Sequence, residues 1–166
     1  MAAASVWAFQ LIHAIGLTTW LSVVCINNMH AFRSSLKAVA ATMGMTPLKQ
    51  EPPVETPLLA RAVQGPGLHR FALLVITAVQ ALSATAGWIG SYRLATTGHL
   101  AAAQPWLNIA VCGFAAVIFV MHLGGLWFGY WIRQDKLHLT HIAQLIWGMA
   151  AFFLFNGYAI GTDYRP

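Results

Sequence analysis

The stretch that decides the fold is Val120-Met-His-Leu-Gly-Gly-Leu-Trp-Phe-Gly-Tyr-Trp-Ile-Arg-Gln-Asp-Lys-Leu-His-Leu-Thr-His-Ile-Ala-Gln144. It places His122 in an apolar run and follows it with small residues at Gly124, Gly125 and Gly129. An aromatic shelf comes next, at Trp127, Tyr130 and Trp131. Arg133 to Lys136 are polar, and beyond His138 and His141 the chain turns apolar again. The pattern reads as the end of one membrane span, a tight turn at the cytoplasmic surface, and the start of the next span.

Composition supports that reading for the whole chain. Of 166 residues, 58% are hydrophobic and 8% are charged. An ordinary soluble domain carries roughly 25% charged residues, so lipid is the expected solvent. The net charge of +5 does not point to nucleic acid, because the basic residues are not clustered with stacking aromatics. Cys25 and Cys112 lie in apolar runs with no C-x-x-C, which excludes a zinc ribbon, a thioredoxin-type site and c-type haem attachment. The N-terminal stretch has no basic leader and no small-residue cleavage site, so it reads as a retained first span.

A span needs about 20 apolar residues to cross ~30 Å of hydrocarbon. Four runs qualify, at about 5–26, 71–91, 106–132 and 139–160. They predict an all-α membrane protein: a single domain over 1–166, a four-transmembrane-helix bundle in up-down-up-down order, with a long cytoplasmic loop over about 29–68. Within that loop Phe32, Leu36, Val39 and Met43 recur at helical spacing, which suits a helix lying at the interface. Pro47, Pro52, Pro53 and Pro57 forbid its continuation. Thr56-Pro57 reads as the cap and first position of another short helix through Val63, with Gly65 to stop it. Arg33, Lys37, Lys49, Arg61, Arg70, Arg133 and Lys136 fall on one side, and only Arg93 and Arg165 on the other. The positive-inside rule then places both termini outside.

Several segments in order carry a resemblance: Asn27-Asn28; Leu59-Ala-Arg-Ala-Val-Gln-Gly-Pro-Gly-Leu-His69; Ile76-Thr-Ala-Val-Gln-Ala-Leu-Ser-Ala84 with Tyr92-Arg-Leu94; and Gly124-Gly-Leu-Trp-Phe128 with Trp131. Together they resemble a bacterial family of predicted small integral membrane proteins, domain-of-unknown-function family 2165. The resemblance runs from about Leu17 to Phe153 and implies four spans in a bacterial inner membrane. It implies no activity. Gln80 and Leu126 stand where family members usually have Glu, so any proton or metal role of those acids is lost here.

Polar side chains inside a bilayer are costly and are functional candidates by default. Gln80 and His122 lie ~13 and ~15 Å deep from the cytoplasmic ends of their spans at ~1.5 Å per residue. The matched depth predicts a hydrogen bond between them, or a shared contact with a ligand, quinone or proton. A haem would need two histidines at one depth; His13 and His122 differ by ~12 Å on the same scale. His30, His69, His138 and His141 gather at the cytoplasmic side as candidate metal ligands. Asn156 is expected near Gln10 and His13. Ser83, Gly87 and Ser91 recur every four residues, and with Gly124, Gly125 and Gly129 they are expected to serve close helix packing.

Glu51, Glu55, Asp135 and Asp163 all lie outside the expected spans, so carboxylate acid–base catalysis in the membrane is not expected. By subtraction, the expected role is a non-catalytic accessory or assembly subunit of a larger membrane complex, or a self-associating protein, with no cofactor of its own. The rival reading is a redox or small-molecule module binding haem, quinone or metal.

Overall fold

The computed structural model describes residues 2–157, and all its regular structure is helical. Residues 158–160, the expected end of the fourth span, lie outside the described residues, as does the tail. The helices are α1 (Ala2–His30), α2 (Phe32–Met43), α3 (Thr46–Lys49), α4 (Pro66–Thr97), α5 (Leu100–Trp127) and α6 (Asp135–Asn156), with 3-10 turns at Pro57–Arg61 and Tyr130–Ile132. Four of them, α1, α4, α5 and α6, are long and apolar enough to cross a membrane.

Boundaries shift where capping chemistry outweighs hydropathy. Gly65 precedes α4 and Pro66 opens it. Proline at the first helical position gives up only an N–H that would have been unpaired, so Pro66 starts the helix, five residues before the expected span at 71. At the other end Gly98 takes φ 69 and its N–H bonds to the Leu94 carbonyl, the left-handed stop that glycine adopts without strain. α5 then begins at Leu100, six residues before the expected start, and contains Pro105. The bond Pro105 cannot make would have gone to Ala101, still in the first turn, where the helix has least to lose.

α5 stops at Trp127, not at residue 132. Gly129, at φ 66, opens the 3-10 turn, and a left-handed residue cannot be carried inside an α-helix. Tyr130 and Trp131 therefore leave the span. In the first connection α2 forms as its pattern predicts, and the Thr56 hydroxyl accepts from Leu58 N at 3.3 Å to cap the 3-10 turn. The Val63 N–H reaches the Met43 carbonyl at 2.8 Å, which ties the end of this connection back to the end of α2. The Arg133 guanidinium donates to the Pro52 carbonyl and so joins it to the last turn.

α4 packs against both α1 and α5, and α6 packs chiefly against α5. Between apolar helices in lipid, close packing and not water exclusion drives association, and the crossings show how it is reached. A Cβ on Gly87 would run into the Thr18 side chain of α1, and one on Gly113 into Ser83 of α4. One on Gly90 would lie 2.7 Å from Leu107 Cδ2. At the centre the Phe114 ring meets Trp20 at 5.2 Å and Trp147 at 5.3 Å, both edge-on, so one fully buried ring joins α1, α5 and α6. Such edge-to-face pairs add to plain burial.

Candidate functional site

Where α5 ends and α6 begins, four ring side chains converge. His122 lies in the last two turns of α5, Tyr130 in the 3-10 turn, and His138 and His141 in the first two turns of α6. The left-handed step at Gly129 brings Tyr130 back across α5, where Gly125 makes room: a Cβ there would stand 2.8 Å from ring carbons of Tyr130. The Tyr130 hydroxyl then bonds to His122 Nδ1 at 3.0 Å and to His141 Nδ1 at 3.2 Å. The His138 ring stacks parallel to that of His122 at 5.2 Å. Tyr130 and His141 are only 3% and 5% exposed.

The bonding fixes the chemistry of the trio. Burial pushes the Tyr130 phenol above its ordinary value of 10.0, so it keeps its proton at neutral pH. One hydroxyl proton cannot serve two ring nitrogens. With neutral rings, the phenol donates to one Nδ1 and accepts N–H from the other. One imidazole then carries its proton on Nε2 and the other has a bare Nε2. Among the described residues, no hydrogen bond is made by either Nε2.

Tyr130 and His141 also line a cavity of about 310 Å³ between α2, α4, α5 and the start of α6. Among the described residues fourteen surround it, none charged. Thr42, Tyr130 and His141 are its polar groups, and Val39, Met43, Ile76 and Met121 are among its apolar ones. Gly124 lines it too, and nothing lies within 4 Å of where a Cβ on Gly124 would stand.

The expected constellations are rearranged. Gln80 is buried, but its side-chain oxygen accepts from Asn28 Nδ2 at 2.9 Å, while His122 bonds to Tyr130. The expected Gln80–His122 bond is therefore replaced. The cause is the length of α1, which stays helical to His30 and carries Asn28 alongside α4. The histidine ring does not assemble. His30 is exposed at the end of α1, and His69 is buried with Nε2 2.9 Å from the Val63 carbonyl. His138 and His141 do come together, joined by His122. Among the described residues, no group of three His, Cys, Asp or Glu side chains is placed to hold a metal ion.

Ser83, Gly87 and Ser91 are all buried, yet the stripe serves two neighbours: Gly87 faces Thr18 of α1 and Ser83 faces Gly113 of α5. Gly125 and Gly129 accommodate the Tyr130 turn, and Gly124 opens onto the cavity. Asn156 exchanges bonds with Asn108 at 2.8 and 2.9 Å and accepts from Gln104 at 3.1 Å. Gln10 instead donates to the Leu154 carbonyl, and His13 accepts from Trp147 Nε1.

Sequence reasoning missed Tyr130, which reads as one more interfacial aromatic, and Asn28, which lies just past the expected end of the first span. Gly90, Gly113 and Gly148 sit outside any four-residue stripe. The one available signal for Tyr130 was Gly129, a helix breaker next to a hydroxyl-bearing ring.

Four apolar helices, a core closed by small residues and a polar cluster at one end define a small multi-pass integral membrane protein. The chain belongs to the family described as "Predicted small integral membrane protein (DUF2165)", which it matches over residues 6–157. No curated protein and no solved structure matches it.

Proposed function

We propose that the protein is a membrane-embedded binding module for a small neutral amphiphile, held in the cavity beside Tyr130 and His141. The observation that carries this is a 310 Å³ space with apolar walls and two buried, hydrogen-bonding rings at one side. Small-molecule sites have this make-up, apolar with a few placed polar groups. With no lining charge to pair an ionic head, a charged ligand would lose its hydration uncompensated. The ligand's head is therefore neutral and its tail apolar. Organic extracts of the purified protein, analysed by mass spectrometry, test this. The wild type is expected to carry an amphiphile that Gly124→Leu, which fills the cavity, does not. Identical lipid contents in the two proteins would reject the reading.

The accompanying arrangement is up-down-up-down in a bacterial inner membrane, with the 29–68 loop cytoplasmic and both ends outside. The excess of Lys and Arg in that loop and the last turn supports it, as does the two-residue connection between α4 and α5. Reporter tags at the N-terminus, at Gly98 and at the C-terminus should read outside, and tags at Pro53 and Gln134 inside. A reversed signal at any of the five breaks the arrangement. An accessory role in a larger complex is the second reading. Its support is α6, which buries the smallest share of its length of the four spans and turns Ile146, Met149 and Phe153 outward. Purification in mild detergent with identification of co-migrating chains tests it. A protein that migrates alone would remove it.

A further inference from the structure

Resting on the amphiphile reading, we infer that the neutral head is a quinone ring, and that the site accepts both its oxidised and its reduced form. The single hydroxyl proton of Tyr130 lies between two Nδ1 atoms, at 3.0 and 3.2 Å. When that proton points to His141, His141 carries its own proton on Nε2 and offers a donor. When it points to His122, His141 donates from Nδ1 and its Nε2 becomes an acceptor. Both states keep every group neutral and differ in which ring nitrogens carry protons; passing from one to the other exchanges a proton at each Nε2 with solvent or ligand, so neither state places a charge in the apolar cavity.

A quinone carbonyl needs a donor, and the hydroxyl of the corresponding quinol needs an acceptor. His141 supplies one or the other without any change of shape or charge. A fixed donor such as Trp or Lys would favour one form and leave the other with an unpaired buried group, which costs more than the bond is worth. The walls suit a flat conjugated head. Tyr130 and His141 present rings 25° from parallel at 5.7 Å, Phe128 adds a third ring, and Gly124 removes the side chain that would fill the space. The volume of about 310 Å³ is enough for a substituted six-membered ring with the start of its tail. Binding of the two forms is the whole inference; it includes no electron transfer.

Equilibrium dialysis of the purified protein in detergent tests it, with three probes: a decyl-substituted benzoquinone, its quinol under reductant, and the hydrocarbon analogue with methyl groups in place of both oxygens, which neither donates nor accepts. Quinone and quinol are expected to bind within about threefold of each other, and the hydrocarbon about tenfold more weakly, the weight of one buried hydrogen bond. His141→Leu should weaken quinone and quinol about tenfold and leave the hydrocarbon unchanged, and His141→Gln, whose amide both donates and accepts, should restore them. Equal binding of all three probes, unaffected by His141→Leu, overturns the quinone head and leaves the neutral-amphiphile reading standing. A parallel loss of all three in His141→Leu also overturns it, because the histidine then only shapes the cavity. No binding of any probe, or binding that Gly124→Leu does not reduce, overturns the cavity reading itself.

Discussion

At Gly87 an added methyl group would strike Thr18, and at Gly124 it would meet nothing within 4 Å. The two glycines belong to two differently built regions. Along the crossings of α4 with α1 and α5, the absence of a side chain lets backbones close together, and the gain is packing. At the end of α5, the absence of a side chain leaves a space that neighbouring helices do not fill. An unfilled space forfeits dispersion contacts, and glycine inside a helix costs about 0.5–1 kcal/mol relative to alanine. The first region is built for stability, whereas the second gives up stability at the place where hydrogen-bonding rings gather.

The largest expected effect that tests this contrast is at Phe114, the ring joining three spans. Phe114→Ala should lower unfolding stability in detergent by about 3–5 kcal/mol, the range for removing a buried aromatic. A loss under 1 kcal/mol would mean that α6 is not held through this ring. A sharper comparison places one substitution in both regions. Gly87→Leu overpacks the α1–α4 crossing and should cost about 1–3 kcal/mol. Gly124→Leu should cost nothing measurable, or stabilise. Equal thermal shifts for the two variants would erase the distinction between a packed and an open glycine. The smallest effect concerns Asn28 and Gln80. Their coupling in a double-mutant cycle with leucine should be about 0.6 kcal/mol, the average for hydrogen bonds between membrane helices. The double variant should lose less than the sum of the two single changes, because no buried amide is left alone. Additive losses would show that the 2.9 Å bond carries no weight.

How much of this could be read from the sequence depends on the kind of signal. The four spans were legible because hydropathy over 20 residues is a bulk property that no single contact overrides. α2 was legible from its 3.6-residue spacing, and the Thr56-Pro57 cap from local chemistry. Pairings between spans were not legible. Gln80 and His122 match in depth, but depth does not say which way a side chain faces, and a few extra residues of α1 brought Asn28 within reach first. Gly125 reads as a packing notch because small-x-x-x-small spacing is shared by helix crossings and by any place where a ring must lie flat on a helix. The cavity was illegible for a different reason: its walls come from segments spread between Ala38 and His141, and no local pattern records an empty space.

That dispersal bears on how the protein is made. The ribosome delivers α2 long before Tyr130, and the Tyr130–His141 bond must wait for the final span. A chain arrested after α5 would hold most of the apolar wall and none of the hydrogen-bonding pair that closes it. Under the proposed function, occupancy of the pocket would report more than ligand concentration: it would distinguish a chain whose last helix has been inserted from one that stopped short, and a bound ligand would favour the completed molecule during quality control.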